Sequence, residues 1–284
     1  MTTRIPARSK RQAMDWSLVL ISQGIESTIE QSEDLGWAIQ VEPHQYAAAE
    51  QTIQQYQAEN HHWRWRRPVV AEMFFDWTAL GWVSLMIVFF WLQSTHAALK
   101  TQGLMKSSAV SAGEWWRLFT ATCLHGDAAH LASNLSIGLL LIGLTMGRFG
   151  SGIGLLASLL AGVGGNVATW LMFPEHRSLG ASGVVMGCVG LLAAQLFAFR
   201  SGAAGVRYAA TGIAAGCMLF VLLGLNPNTD VLAHFGGFVS GLVLGTLLLP
   251  FRRILAGNKT NLIAAIGYAL LIIIPWWLAL AAPV

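Results

Sequence analysis

The feature that most constrains this chain is a series of seven long stretches without any Asp, Glu, Lys or Arg. Each stretch is 20 to 26 residues long, and they cover residues 77–99, 128–147, 149–174, 178–199, 208–229, 231–251 and 260–284. A helix needs roughly 20 apolar residues to cross the ~30 Å hydrocarbon core of a bilayer. The pattern therefore predicts seven transmembrane helices.

The composition excludes most soluble classes of protein. Of the 284 residues 55% are hydrophobic and only 11% are charged, which is about half of the usual charged share. A soluble enzyme needs a polar outer surface, and a nucleic-acid binder needs a dense basic face. The net charge of +3 is too small to supply that face. The sequence therefore predicts the lipid bilayer as a partner and no nucleic acid.

The distribution of Lys and Arg predicts the orientation, because these residues are enriched in cytoplasmic connections. With the N-terminus inside, the following residues are cytoplasmic: Arg64, Arg66, Arg67, Arg148, Arg200, Arg207, Arg252, Arg253 and Lys259. The smaller set on the outside is Lys100, Lys106, Arg117 and Arg177. We therefore expect a cytoplasmic N-terminus and an outer C-terminus. Since no cleavable signal peptide is visible, a bacterial inner (plasma) membrane is the expected location.

Residues 1–68 predict a small soluble α/β domain on the cytosolic side, followed by a juxtamembrane anchor. Residues 15–22 and 36–41 have the composition of strands, and residues 43–60 have that of a helix. We expect three short strands and one helix. Residues 61–67 combine histidines, tryptophans and arginines immediately before the first span, which favours an interfacial anchor over a nucleic-acid patch.

Polar residues inside three of the predicted spans are the strongest functional signal, because such groups are costly in a bilayer. The second span contains His130 and Asn134, the fourth begins near Ser182, and the sixth contains His234. All three spans enter from the outer side, and their polar residues lie ~4 to 8 Å below the outer charged edge at ~1.5 Å per residue. We expect these side chains to meet in one plane.

Glycines provide a route by which the fourth and sixth spans can approach each other. Gly237 and Gly241 repeat at the spacing that allows close helix packing, and the fourth span offers a matching small surface at Gly180, Gly183 and Gly187. A serine on one helix can then contact a histidine on the other.

Serine beside histidine is the core of nucleophilic acyl transfer, in which the imidazole takes the hydroxyl proton and hydrogen-bond donors stabilise the oxyanion. His130, Asn134 and the backbone N–H groups around Ser182 are candidate donors. Asp230 lies one turn before His234 in the outer connection, so we predict a dyad and not a triad.

Other interpretations of these residues remain open at this point. A lone intramembrane serine often bonds its own helix, and a lone histidine often packs between helices or relays protons. A zinc site from His125, His130 and His234 is conceivable, but their spacing is poor and no His-Glu-x-x-His motif occurs. Val184 also stands where the soluble-hydrolase motif Gly-x-Ser-x-Gly requires glycine.

Four separated motifs resemble those of the rhomboid intramembrane serine proteases. They are Trp116-Arg117; His125, His130 and Asn134; residues 180–183 (Gly-Ala-Ser-Gly); and residues 233–241, which begin Ala-His-Phe-Gly-Gly. The resemblance covers roughly residues 77–251. It implies an all-α polytopic membrane protein with a six-helix core over residues 69–251 and a water-filled cavity that opens outward. Residues 252–284 would add a cytoplasmic loop and a seventh transmembrane helix.

The same resemblance implies the role of each site residue. Ser182 would be the nucleophile and His234 the general base, with an oxyanion hole formed by His130, Asn134, Gly180 and the Ser182 amide. Structural roles would fall to Trp116 and Arg117 in an outer-loop hairpin, to His125, and to Gly237 and Gly241. Substrates would be single-span transmembrane proteins cut near the outer end of an easily unwound helix. No metal or other cofactor is implied.

The fourth span departs from the family pattern at one position, and the resemblance also implies a role for the fifth span. Many family members carry a tyrosine four residues after the nucleophile, where this chain has Met186. The fifth span, over residues 208–225, and its following turn at residues 226–229 would form a mobile gate and cap.

Two alternative functions are considered beside the protease. One is a catalytically silent rhomboid-like protein that binds transmembrane helices. The other is a transporter with a histidine proton relay, which the lack of internal repeats and the position of the polar residues near the outer edge disfavour.

Overall fold

The computed structural model separates the chain into two compact units, Met1–Ala71 and Glu72–Val284. The residues that the structure describes are 3–32, 36–60, 74–195, 210, 212, 214–218, 230–255 and 257–282.

The first unit is a three-stranded antiparallel sheet with two helices. Its elements are β1 (Thr3–Pro6), α1 (Lys10–Ser22), β2 (Ser27–Ser32), β3 (Gly36–Val41) and α2 (Tyr46–Asn60), with a 3-10 turn at Pro43–Gln45. The strand order is β1-β3-β2, so the last strand lies in the centre. Trp16, Leu20, Ile39 and Ile53 form the buried core of this unit.

The sequence interpretation of this unit was partly wrong. Residues 15–22 belong to helix α1 and not to a strand. Ser9 caps α1 by accepting a hydrogen bond from the Gln12 N–H, and Ala13, Trp16, Ser17 and Leu20 are buried at a spacing of three to four residues. That helical period outweighs the strand composition. The strand at residues 36–41 and the helical segment at residues 43–60 are confirmed.

The second unit is almost entirely helical. Its first half contains α3 (Ala79–Thr95), α4 (Ala97–Gly103), β4 (Met105–Lys106), α5 (Ser107–Ser111), α6 (Arg117–Thr120) and α7 (Ala128–Phe149). Its second half contains α8 (Ser151–Met172), β5 (Arg177–Ser178), α9 (Ser182–Ala194), α10 (Val231–Leu248), α11 (Arg252–Leu255) and α12 (Asn258–Ala281). Further 3-10 turns lie at Ala121–Cys123 and Leu249–Phe251.

Among the described residues, four helices are long and apolar enough to cross a membrane: α7, α8, α10 with its 3-10 extension, and α12. A fifth candidate is the pair α3 and α4, which meet at a bend of 112°. The first predicted span therefore turns after Thr95, because His96 adopts an extended conformation. Helix α9 is apolar but shorter. The predicted fifth span lies largely outside the described residues.

Close contacts between glycines hold α8, α9 and α10 together. A Cβ atom on Gly237 would collide with the carbonyl oxygen of Gly183, and one on Gly241 would collide with that of Gly187. Gly165 of α8 meets the carbonyl oxygen of Ala233 in the same way. Helices α9 and α10 therefore run parallel in a fixed register at backbone contact.

The connection before α9 is held by a short sheet. β4 pairs with β5, with Met105 opposite Ser178, and the Ser107 N–H donates to the His176 carbonyl at 3.0 Å. Strand β5 is thereby attached to the connection between α3 and α7, a few residues before Ser182.

Candidate active site

Ser182 is the first residue of α9, and its side chain is partly buried. The first hydrogen bond of the helix runs from the Val185 N–H to the Ala181 carbonyl at 3.0 Å. The N–H groups of residues 182–184 precede that bond and have no partner within the helix by construction. The serine hydroxyl therefore stands at a helix N-terminus, where the positive end of the helix dipole favours negative charge.

Gly180 brings the preceding turn against the imidazole of His130. Its φ of 132° is a conformation that favours glycine. A Cβ atom at this position would lie 2.9 Å from Cε1 and 3.0 Å from Nε2 of His130, and 3.6 Å from Oγ of Ser182. The His130 imidazole and the Ser182 hydroxyl therefore both lie within 4 Å of this Cβ position, on the same side of Gly180, and any larger residue would displace the imidazole.

The hydrogen bonds of His130 indicate its tautomer. The Asp127 side chain caps α7 by accepting from the His130 backbone N–H at 2.8 Å. The imidazole Nδ1 accepts from the Gly126 N–H at 3.4 Å, so the proton of a neutral ring belongs on Nε2. Because the Cε1 and Nε2 edge of the ring faces Gly180, His130 presents an N–H donor beside Ser182.

Asn134 lies one turn further along α7 and is 6% exposed. Its amide donates to the His130 carbonyl at 3.0 Å, which uses one of its two amide hydrogens. One turn later, a Cβ on Gly138 would lie 3.2 Å from Cγ2 of Val185 in α9. The same Cβ would lie 2.7 Å from Trp82 of α3, so the face of α7 that bears Asn134 packs against both α9 and α3.

His234 lies in the first turn of α10 and is only 2% exposed. A Cβ on Gly183 would lie 3.5 Å from the carbonyl oxygen of Ala233, the residue before His234. The glycine register thus sets the turn that carries His234 against the first turn of α9, where Ser182 lies. His234 is also near enough to His130 for the two imidazoles to interact electrostatically.

The Asp230 carboxylate hydrogen-bonds both to the start of α10 and to His176 in the segment before β5. One oxygen accepts from the Ala233 N–H at 2.9 Å and caps α10, and the other bonds Nε2 of His176 at 2.7 Å. Burial raises the pKa of Asp230, but hydrogen bonds from Ala233, Ser178 and His176 outweigh burial and hold that pKa below its ordinary value. The carboxylate is therefore an ionised anchor for the segment before Ser182 and the turn of His234.

The predicted structural residues of the first connection lie in a dense network. Arg117 donates to the carbonyls of Thr101 at 2.9 Å and Leu104 at 2.8 Å, and it also pairs with Glu114. Trp116 packs partly buried against the main core. These contacts fold the connection between α3 and α7 around one guanidinium group.

His125 is fully buried, and its ring lies 5.3 Å from that of His130. Its backbone is held by the Gln93 side chain, which accepts from the His125 N–H at 3.1 Å and donates to the His125 carbonyl at 2.6 Å. Burial, assisted by the neighbouring His130, lowers the pKa of His125 to about 4. The ring is therefore neutral at physiological pH and contributes no charge to the site.

The remaining residues of interest are Met186, His176 and Asp230. Met186 is buried in the core one turn after Ser182. Sequence reasoning gave no role to the pair His176 and Asp230. The position of Asp230 directly before an apolar run is a helix-capping signal, whereas His176 carries no local signal. Among the described residues no group of three or more His, Cys, Asp or Glu is arranged to hold a metal ion.

Comparison with known proteins assigns the family. Residues 112–251 match the model of the Rhomboid domain. The chain is 33% identical over 165 residues to Rhomboid protease GluP of Bacillus subtilis (strain 168), covering 55% of this chain and 31% of that protein. It is 37% identical over 154 residues to RHOMBOID-like protein 4 of Arabidopsis thaliana, covering 52% of this chain and 37% of that protein.

A third relative is matched over most of its own length. It is Putative rhomboid protease YdcA of Bacillus subtilis (strain 168), which is 30% identical over 146 residues that cover 51% of this chain and 72% of that protein. Residues 112–251, which match the Rhomboid domain, contain α7, α8, α9 and α10, three of which are long apolar candidate spans, as expected for an integral membrane protein. The chain belongs to the rhomboid family.

Proposed function

We propose that this protein is an intramembrane serine endopeptidase that hydrolyses a peptide bond of single-span transmembrane proteins near the outer membrane face. One observation carries the proposal. The Ser182 hydroxyl lies beside Gly180 and His130 at the start of α9, and the glycine register with α10 brings the turn of the buried His234 to the same level.

The first half of the proposed reaction forms an acyl-enzyme. Oγ of Ser182 attacks the scissile carbonyl carbon while His234 takes the hydroxyl proton. The carbonyl oxygen becomes an oxyanion, which accepts hydrogen bonds from the Nε2–H of His130, the free amide hydrogen of Asn134 and the Ser182 N–H. When the tetrahedral intermediate collapses, His234 returns the proton to the leaving amine and the C–N bond breaks.

The second half releases the product. A water molecule loses a proton to His234 and attacks the ester carbonyl, and the same donors stabilise the second oxyanion. His234 then protonates Oγ as the ester bond breaks, which restores Ser182. No metal takes part in these steps. Asp230, engaged by His176 and the cap of α10, acts as a positioning residue, in agreement with a dyad.

The proposed architecture is a six-helix core over residues 69–251, a loop and seventh helix over residues 252–284, and a cytosolic domain over residues 1–68. Four long apolar helices, the bent pair α3–α4 and the apolar α9 support the helical count. We propose a cytoplasmic N-terminus and an outer C-terminus, on the basis of the distribution of Lys and Arg. A bacterial inner membrane is the proposed location.

Cleavage in proteoliposomes tests the proposal. Purified protein is reconstituted with a single-span substrate whose helix carries a small residue and a helix-breaking pair near its outer end, and the products are identified by mass spectrometry. We expect wild type to cut once near the outer end and Ser182→Ala to bind without cutting. Ser136→Ala, an exposed serine that bonds the Ala132 carbonyl, is the matched control.

A folded wild type that binds such helices but cuts none of them would contradict the protease. It would favour the catalytically silent binder on the same scaffold, with Met186 in place of the tyrosine of many relatives as the first residue to exchange.

A further inference from the structure

The end of the helical unit opposite Ser182 contains a cavity of about 210 Å³. Two polar side chains line it, Arg148 near the end of α7 and Gln195 directly after α9. The remaining wall consists of the backbone of Gly147 and Gly150 and of four apolar side chains, those of Phe149, Leu248, Leu249 and Leu255. Because α7 and α10 end here, the cavity lies at the depth where lipid head groups meet the hydrocarbon core.

The amide of Gln195 is oriented by Arg148. Nε of Arg148 donates to Oε1 of Gln195 at 2.8 Å. A guanidinium nitrogen can only donate, so the amide oxygen must face Arg148 and the amide nitrogen must face away. That nitrogen, Nε2, is buried and has no hydrogen-bond partner within the part of the chain that the structure describes. A buried donor without an acceptor is unfavourable, so this site lacks one acceptor.

The chemistry of the cavity selects a negatively charged acceptor with an apolar body. A guanidinium beside an amide donor suits the oxygens of a phosphate group. The leucine and phenylalanine walls suit glycerol and acyl carbons and disfavour a fully hydrated ion. The sequence that follows α10 also carries three basic residues, Arg252, Arg253 and Lys259. Basic pockets between transmembrane helices bind anionic head groups in this way.

We propose that Arg148 and Gln195 bind the phosphate group of an anionic phospholipid at the end of the bundle opposite Ser182. Inorganic phosphate offers the same oxygens without the apolar body, so it distinguishes a soluble ligand from a lipid. The proposal is independent of catalysis, because none of the residues involved belongs to the Ser182 site.

Thermal unfolding of the full-length protein in detergent tests the proposal. We expect phosphatidylglycerol to raise the unfolding midpoint of wild type by about 4 °C relative to phosphatidylcholine, because a ligand of the native state stabilises it. Inorganic phosphate should leave the midpoint unchanged. Gln195→Glu keeps the acceptor for Arg148 but replaces the Nε2 donor with a carboxylate oxygen, so this variant should lose the phosphatidylglycerol effect.

Asn258→Asp is the matched control, because it introduces the same charge at an exposed position at the start of α12 and should keep the effect. Equal shifts with the two lipids, or a full shift in Gln195→Glu, would contradict the site. An equal shift with inorganic phosphate would overturn the lipid as its ligand. If Gln195→Glu does not fold, native mass spectrometry of wild type decides: preferential retention of one phosphatidylglycerol supports the site, and no preference refutes it.

Discussion

The two ends of the membrane unit each hold a hydrogen-bonded asparagine, buried at the Ser182 end and half-buried at the other, and they use it differently. At the opposite end, Oδ1 of Asn261 accepts from the N–H groups of Gly152 and Ile153, each at 3.2 Å, and its amide donates to the Leu255 carbonyl at 2.7 Å. The Asn261 side chain, which belongs to α12, therefore caps the free N–H groups in the first turn of α8 and has its own oxygen and amide engaged. At the Ser182 end, Asn134 makes one bond to its own helix and keeps donor capacity. An intramembrane amide thus indicates chemistry only when its hydrogen-bonding capacity is not already used.

The largest contrast is expected from replacing these two asparagines. Asn134→Ala should lower kcat by ~10 to 1,000-fold, as for loss of one oxyanion donor, with little change in the unfolding midpoint. His130→Ala should behave in the same way. Asn261→Ala should leave kcat within about twofold but cost about 1–2 kcal/mol of stability, because two N–H groups lose their cap. Steady-state cleavage rates and thermal unfolding of all three variants measure both effects.

An unchanged kcat in both Asn134→Ala and His130→Ala would remove the oxyanion role from α7. A loss of kcat in Asn261→Ala without a loss of stability would show that the two ends are not functionally distinct.

The next contrast concerns glycines in α10 and α12. Gly237→Ala places a methyl group into the carbonyl oxygen of Gly183, so α9 and α10 must separate. We expect a fall in kcat of about 100-fold, since a displacement near 1 Å of reacting groups has effects of that size. A Cβ on Gly267 would lie 3.7 Å from Cδ2 of Leu156, an ordinary contact, so Gly267→Ala should retain activity. Full activity in Gly237→Ala would contradict the register on which the site depends.

The smallest predicted effect concerns Asp230. Its lowered pKa means that the folded state releases the proton more readily than the unfolded chain, so the carboxylate stabilises the fold above its unfolded pKa of about 3.9. That contribution is lost as the pH falls through the folded pKa. Asp230→Asn should cost about 1 kcal/mol at neutral pH, and its difference from wild type should stay constant down to about pH 4 and shrink between about pH 4 and pH 2. Parallel unfolding midpoints over this range would show that the charge of Asp230 is not stabilising.

The sequence predicted those features that a membrane protein shows in its local residue pattern, namely long apolar runs and the polar residues within them. Charge-free runs predicted membrane helices, and α7, α8, α10 and α12 have the required length and apolarity. The family prediction is confirmed by the match over residues 112–251. The positions of Ser182, His130 and His234 could be predicted because each is a polar residue in an apolar helix at a similar depth, and the structure brings the helices that carry them together.

What the sequence did not reveal depends on contacts between distant segments. The hydrogen bond from His176 to Asp230 joins residues 54 positions apart, and that from Arg148 to Gln195 joins residues 47 positions apart. No local pattern in the sequence therefore predicts either hydrogen bond. In the first unit, Trp, Val and Ile suggested a strand at residues 15–22, but burial at helical spacing and the Ser9 cap determined a helix. The bend at His96 is different, because it falls in a polar stretch, residues 93–96 (Gln-Ser-Thr-His), of a run that lacks charged residues.

The most direct test of the proposed active site is labelling of the purified protein in detergent with a fluorophosphonate probe, followed by identification of the modified residue. An activated serine at Ser182 predicts one adduct on Ser182 in wild type, none in Ser182→Ala, and labelling slowed by at least ~1,000-fold in His234→Ala. A folded wild type that carries no adduct, or an adduct rate that does not depend on His234, would contradict the Ser182–His234 dyad.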